Sequence, residues 1–251
     1  MTAPLSPDSA VPYRQIRALY DDETITVYQA YNRGIATAAI KEQKLHASPL
    51  FKPTRMTWIK PSWAWMLYRA GYSYKDPGQE RILAIRMRHE DFLGLLKRAV
   101  LTFGHGGAKE ESETVPQNPH EAAPRESGEA TTAQPAGSDK ETKTGRRRHH
   151  DPAAGKSTDV KVQWDPERTV RLEKLEHRSI QIGIPAALSP EWTEKWIVGI
   201  EDVTDRAREL RRVLDEEPGV SEEELVKRGL VPVERPFEIS EDLQKQLRVI
   251  I

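Results

Sequence analysis

Hydrophobic residues recur along the chain with two different spacings. Alternating or β-branched runs predict strands over residues 24–30, 56–59, 81–87, 160–164, 179–184 and 196–200. Apolar residues three or four apart, or capping residues, predict helices over residues 34–45, 62–69, 89–101 and 202–214, with shorter helices beginning at Ser189, Ser221 and Ser240. Because the two element types do not alternate regularly, their order predicts an α+β fold rather than a doubly wound sheet.

One long segment interrupts this pattern. Residues 104–159 contain no Ile, Leu, Phe, Trp, Tyr or Met and a single valine, Val115. Such a segment cannot bury enough apolar surface to offset the entropy lost on ordering, so we predict a disordered insertion. Residues 1–11 are predicted to be a flexible end. Residues 12–251, apart from the insertion, are predicted to form a single compact domain, a small mixed or antiparallel split sheet flanked by helices.

Composition and motifs exclude several classes of protein. The 251 residues include no cysteine, which removes disulfide scaffolds, thiolate metal sites and cysteine nucleophiles. The N-terminus has no apolar signal region, and no run of about 18 apolar residues occurs. We therefore expect an intracellular protein, cytoplasmic or nuclear, with no membrane partner. The phosphate-loop, dinucleotide, hydrolase and zinc-protease motifs are absent, and no metal site is predicted.

Charge is distributed unevenly along the chain. Residues 1–103 carry 15 Lys or Arg against 9 Asp or Glu, whereas residues 160–251 carry 15 against 20. A basic segment rich in aromatic rings favours an anionic partner, a nucleotide or nucleic acid. Charge balance between two halves of one fold is the other interpretation. Residues 146–150 (RRRHH), inside the insertion, are a candidate nuclear address or RNA-contacting tail.

The strongest candidate site is the segment 55–75, RMTWIKPSWAWMLYRAGYSYK. Tyrosine and tryptophan rings stack on bases, and lysine or arginine binds phosphate. Lys60 precedes Pro61, which restrains it to an extended conformation at a strand end, and it is the first candidate catalytic residue. Burial of the rings in the core is the alternative explanation. The candidate ligand-binding residues here are Trp58, Trp65, Tyr68 and Arg69.

Two further clusters contain polar residues suited to ligand binding. Arg14 and Arg17 lie three residues apart, and their guanidinium groups match phosphate oxygens; ion pairs with the acidic residues 21–23 are the alternative. Alternation on residues 177–183 sets a polar row opposite an apolar one, a row that lines a cleft or simply faces water. The candidates from these clusters are Arg14, Arg17, Tyr28, Gln29 and His177 for ligand binding and Gln181 for catalysis.

Several sequence blocks carry a family resemblance. YRQIRALYDDETITVYQAY, RMTWIKPSWAWMLYRAGY, QERILAIRM, VQWDPER, RSIQIGI and WIVGIEDVT resemble the family catalogued as domain of unknown function 4291, which brings no established activity. The order of elements also resembles the ADP-ribosyltransferase-type fold, a split sheet that binds NAD. VYQAYNRGIATAAI, MTWIKPSWAWMLY and RSIQIGI would take its three motif places. Tyr28-Gln29 and Gln181 depart there from the residues of the active enzymes.

Together these observations predict an enzyme that acts on a nucleotide or a nucleic-acid end, with NAD or ATP as candidate cofactor. In this hypothesis the basic residues hold phosphates and Gln181 orients a ribose hydroxyl. Catalysis would come from positioning and charge stabilisation. Three alternatives remain open: a non-catalytic RNA- or DNA-binding module, a structural role, and a nucleotidyltransferase that uses Lys60 covalently. Lys60 is followed by PSW, not by the acidic-glycine pair typical of covalent nucleotidyltransferases.

Overall fold

Three small sheets form in the computed structural model, which describes residues 11–102 and 158–249. Their strand orders are β2-β4-β8, β3-β7-β6-β5 and β1-β9, and all pairs are antiparallel except β5 with β6. The predicted α+β class with a small mixed sheet is confirmed. The strands are β1 Arg17–Ala18, β2 Thr24–Tyr31, β3 Thr57–Ile59, β4 Arg81–Arg88, β5 Ala99–Leu101, β6 Val160–Arg168, β7 Lys174–Ile184, β8 Ile197–Asp202 and β9 Arg235–Pro236.

Helices flank these sheets and begin at the predicted caps. Ser62, Ser221 and Ser240 each accept a backbone N–H from the first turn of the helix that follows, and Gly71 ends one helix with a left-handed φ of 53°. None of the helices in the described ranges is long and apolar enough to cross a membrane. The helices are α1 Arg33–Glu42, α2 Trp63–Ala70, α3 His89–Lys97, α4 Ser189–Glu191, α5 Thr204–Glu216, α6 Glu222–Lys227 and α7 Glu241–Leu247.

The two larger sheets adjoin at one pair of residues. The Tyr28 N–H donates to the Lys60 carbonyl at 2.7 Å, and the Lys60 N–H donates to the Tyr28 carbonyl at 3.4 Å. One residue further along β2, the Gln29 side chain donates to the Trp58 carbonyl at 2.9 Å, so a side chain links the strands there. The sheet therefore splits beside Lys60.

Strand alternation separates the core from a polar face. Ile180, Ile182 and Ile184 of β7 lie in one hydrophobic cluster with Ile59 and Val162. Since successive side chains of a strand point to opposite faces, Ser179 and Gln181 lie on the other face. A second cluster packs Tyr28 and Trp63 against α5 residues such as Leu210.

The structure differs from the predicted elements in several places, two of which lie in the β5-β6-β7 part of the sheet. The predicted helix 89–101 ends at Lys97, and residues 99–101 form β5, because the edge of β6 offers them a parallel partner. β6 and β7 also extend beyond their apolar runs, since cross-strand pairing continues to Arg168 and Lys174. The predicted flexible end up to residue 10, and residues 104–157 of the predicted insertion with its RRRHH run, lie outside the described residues.

Candidate functional site

The polar face of the β3-β7-β6 sheet carries the candidate site. Directly opposite residues of antiparallel strands share a face, and the register places Asp165 opposite Ser179 and Gln163 opposite Gln181. The Gln181 amide donates to the Gln163 side-chain oxygen at 2.5 Å. The row predicted at residues 177–183 is therefore extended onto β6, where acidic and amide groups join it.

Lys60 lies at the centre of this face. Its Nζ is 3.0 Å from Asp165 Oδ2 and 3.0 Å from the centroid of the Trp65 ring. The side chain is only 7% exposed, and burial lowers the pKa of Lys60 to about 7, an effect that Arg69 reinforces and that Asp165 and Glu167 oppose. Burial thus favours the neutral amine of Lys60 more than it is favoured in an ordinary, solvated lysine. A neutral amine acts as a nucleophile or a general base.

Two half-buried carboxyl groups lie at the start of α2. Glu167 Oε1 accepts a hydrogen bond from the Ser62 hydroxyl at 2.9 Å and from the Arg168 N–H at 2.8 Å. Glu234 accepts the Trp63 N–H at 2.6 Å. Burial raises the pKa of Glu167, and burial together with the charge of Glu167 raises the pKa of Glu234 to about 8. The site therefore combines a weakly basic amine with weakly acidic carboxyl groups.

A stacked ring and cation border the Lys60 pair. The Arg168 guanidinium carbon lies 3.9 Å from the centroid of the Tyr68 ring, and the Tyr68 ring meets Trp65 edge-on at 6.1 Å. Arg69, on the same helix, is close enough for its charge to affect the pKa of Lys60. Tyr68 is partly exposed, which makes its ring a surface on which a base can stack.

The N-terminal arginines lie at the other end of the polar row. Arg17 donates to the Glu234 carbonyl at 3.0 Å and to the Gln15 side chain at 3.1 Å. The pKa of His177 is lowered by burial and by the charge of Arg17. Arg14 forms a backbone bridge with Arg178, and its own Nε is buried without a hydrogen-bond partner in the described structure. Among the described residues, the ion pair of Arg17 with the acidic residues 21–23 does not form; Arg17 donates to Glu234 and Gln15 instead.

The structure thus divides the predicted site residues into three groups. Lys60, Trp65, Tyr68, Arg69 and Gln181 come together on or beside the polar face, and Trp58 flanks it, since its ring lies beside Gly183. Arg14, Arg17 and His177 form the second group, described above. The third group, Tyr28 and Gln29, is buried on β2 beside β3.

Tyr28 and Gln29 hold the fold around the site. The Tyr28 ring packs on Trp63 with centroids 5.3 Å apart, and its hydroxyl is buried without a hydrogen-bond partner in the described structure. Gln29 donates to Thr57 at 2.7 Å and to the Trp58 carbonyl. Both residues support β3 from the β2 side.

Sequence reasoning missed the carboxyl groups of the site. Asp165 and Glu167 belong to the block VQWDPER, and alternation along that block, set in register with the row at 177–183, is the signal that identifies their face. Glu234 lies between α6 and α7, immediately before β9, and no local pattern links it to α2. In the described part of the chain, no cluster of three His, Asp or Glu side chains has the arrangement of a metal site.

Comparison with known proteins identifies a family without an assigned activity. The family model for the Domain of unknown function (DUF4291) matches residues 15–237, which confirms the family predicted from the sequence blocks. No curated protein and no solved structure gives a significant match. The likeness to the ADP-ribosyltransferase-type fold therefore stays a prediction.

Proposed function

We propose that this chain, which belongs to the family described as Domain of unknown function (DUF4291), is an enzyme that transfers a group from a nucleotide, with NAD as the nucleotide. The observation that carries the proposal is the environment of Lys60, whose amine is buried between the Asp165 carboxylate and the Trp65 ring. A titratable group whose pKa is shifted by burial, with a specific charged partner beside it, is typical of active sites.

The arrangement of strands supports a nucleotide cleft. The three segments that the ADP-ribosyltransferase resemblance sets side by side are carried by β2, β3 and β7. β3 lies between the other two, since it pairs with β7 and meets β2 at the Tyr28–Lys60 bridge. The junction of two sheets is a favourable place for a ligand because groups from both sheets can converge there.

The side chains around Lys60 match the parts of a dinucleotide. Tyr68, with Arg168 stacked on it, suits a base, since aromatic rings stack on any base. Arg69 and Arg168 supply positive charge for a pyrophosphate. Gln181 and Gln163 offer amide groups for ribose hydroxyls. Lys60 would remove the proton from the attacking group, and Asp165 would orient the amine.

Isothermal titration calorimetry tests the proposal. The full chain is titrated with NAD, ATP and a short RNA at pH 7.5, and NAD is expected to bind with a Kd below about 1 mM. Lys60→Met is expected to weaken NAD binding by about tenfold or more, whereas Lys245→Met, which changes a 75% exposed lysine on α7, leaves it unchanged. Circular dichroism of each variant reports folding. Absence of heat with all three ligands at millimolar concentration contradicts the proposal.

A non-catalytic RNA- or DNA-binding module is the second candidate. The observation that favours it is the Arg168–Tyr68 stack on a partly exposed ring, an arrangement that binds single strands without reading their sequence. Such binding weakens steeply with salt, because counterions are released from the phosphates. RNA binding that falls by about tenfold or more between low and high salt, without any NAD binding, supports this candidate over the enzyme.

A further inference from the structure

We infer that Lys60 is a nucleophile toward the aldehyde form of a ribose and that it holds the reducing end of ADP-ribose covalently, as an imine. The inference rests on the proposed function, because ADP-ribose is what remains when NAD loses nicotinamide to water. The open-chain form of its terminal ribose carries an aldehyde at C1. A desolvated lysine is the protein group that forms Schiff bases with carbonyl carbons.

Geometry provides an approach to the amine. Trp65 covers one side of Nζ, with its ring centroid at 3.0 Å, and Asp165 Oδ2 lies at 3.0 Å. The Asp165 side chain is 22% exposed, whereas that of Lys60 is 7% exposed. A ligand therefore approaches Nζ from the side of the Asp165 carboxylate. On the opposite side the Trp65 ring excludes water from the reacting atom. Burial disfavours the ammonium form of Lys60, whereas the face of the Trp65 ring and the Asp165 carboxylate favour it.

The acid and base that imine formation needs are also present. The lone pair of Nζ forms a bond to C1 while the carbonyl π pair moves to oxygen, which takes up a proton. Asp165 accepts the proton that the nitrogen loses and passes it to this oxygen, so the addition gives a neutral carbinolamine. Glu167, a half-buried carboxyl that interacts electrostatically with Lys60, donates the proton with which the new hydroxyl leaves as water. The Glu167 carboxylate then takes up the remaining N–H proton, which leaves a neutral imine. An amine and an aldehyde thus give an imine and water, without an oxidant or a reductant.

The surface lysines lack this environment. Lys44 is paired with Glu194 at 2.8 Å and is 51% exposed, and Lys245 is 75% exposed. Their ammonium groups are exposed to water, whereas that of Lys60 is buried against the Trp65 ring. Lys60 is therefore expected to react selectively with an aldehyde whose nucleotide part binds beside Tyr68 and Arg168.

The experiment traps the imine. The full chain is incubated briefly at pH 7.5 with ADP-ribose and sodium cyanoborohydride, which reduces an imine to a stable secondary amine, and the adduct is located by peptide mass spectrometry. We expect one adduct, on Lys60, formed about tenfold or more faster than on Lys44 or Lys245. An excess of ADP, which has no aldehyde, is expected to compete. Lys60→Arg keeps a cation beside Asp165 and cannot form an imine, so it should remove the adduct while the protein stays folded.

The outcomes separate this inference from the proposed function, because ADP-ribose binding without the reductant is measured in parallel by calorimetry. Binding without an adduct on Lys60 overturns the inference and leaves the nucleotide site in place. An adduct spread evenly over surface lysines also overturns it. An adduct on Lys60 in a protein that does not bind NAD supports the inference and contradicts NAD as the nucleotide. If neither binding nor an adduct is observed, both the inference and the proposed function are overturned.

Discussion

The carboxylate of Asp165 lies 3.0 Å from the amine of Lys60, although 105 residues separate them along the chain. β7 runs between their strands, since the sheet order is β3-β7-β6, and it presents the small side chain of Ser179 opposite Asp165. The pair therefore spans β7 on the polar face. The ammonium form of Lys60 depends strongly on its ion pair with Asp165, because without that pair the charge would be buried with little compensation.

Asp165→Asn is expected to lower the pKa of Lys60 further below its value of about 7. Asp165 raises this pKa by its charge and its hydrogen bond, in opposition to burial, so removal of the charge leaves burial dominant. The pKa is measured by NMR on the protein after reductive ¹³C-methylation of its lysines. Asp242→Asn, on the exposed start of α7, serves as the control. A Lys60 titration midpoint near that of surface lysines in the unmutated chain would contradict the described burial.

Glu234→Gln is expected to remove part of the pH dependence of stability. An unfolded glutamate titrates near 4.5, whereas Glu234 has a pKa of about 8 in the fold. Between these values the folded state holds a proton that the unfolded state has lost, so stability falls as the pH rises from 5 to 9. Relative to the unmutated chain, the variant should gain at least about 1 kcal/mol at pH 9 compared with pH 5.

Urea unfolding at pH 5, 7 and 9 measures this difference. Glu241→Gln, which changes an 86% exposed side chain on α7, should leave the change of unfolding free energy with pH as it is in the unmutated chain. Glu167 also has a raised pKa, so a smaller slope of the same sign is expected to remain in the Glu234 variant. If the unfolding free energies of Glu234→Gln and of the unmutated chain change equally with pH, Glu234 is not held in a half-buried position at the start of α2.

Tyr68→Ala is expected to weaken NAD binding by about five- to a hundredfold, the range for loss of one base–aromatic stack. Tyr74→Ala is a matched control, because Tyr74 is 65% exposed and also carries an arginine near its ring, Arg208 at 5.2 Å. Calorimetric titration of both variants with NAD measures the effect. Equal weakening in the two variants would mean that binding depends on general surface charge and not on the Tyr68 ring.

Tyr28→Phe is expected to leave NAD binding within about twofold and to preserve or increase stability. The Tyr28 hydroxyl is buried without a hydrogen-bond partner in the described structure, so its removal relieves a desolvation cost of about 1 kcal/mol or more. Chemical unfolding and calorimetry measure the two quantities. Loss of NAD binding in a folded Tyr28→Phe variant would restore Tyr28 to the ligand-binding residues predicted from the sequence.

Local patterns were sufficient for most of the fold. The alternation over residues 81–87 and the Ser62 and Gly71 caps predicted β4 and α2 because local sequence determines those features. The prediction was wrong at residues 99–101, where the amphipathic pattern continues but a neighbouring strand captures the backbone. Residues 99–101 form a strand because they pair with β6, which lies about 60 residues away in the sequence, outside any local window.

The site was predictable only in part, for the same reason. Segment 55–75 drew attention to Lys60 and Trp65 through its composition, and these two residues are in contact. The register of β6 with β7 places Asp165 at the site. Glu234 lies there because the C-terminal segment packs against the start of α2. Their side chains become recognisable as site residues only when β6 and α2 are placed together. Tyr28 and Gln29 are buried on β2, and their ligand-binding role stays a prediction.

Photoaffinity labelling with an azido derivative of NAD tests the central claim most directly, because it reports both binding and place. The full chain is irradiated with the probe, and the labelled peptides are identified by mass spectrometry. We predict that the label lies on residues 57–70, the segment of β3 and α2, or on β6, and that excess NAD prevents it. Label confined to other surfaces, or label that excess NAD does not reduce, would contradict a nucleotide site at Lys60.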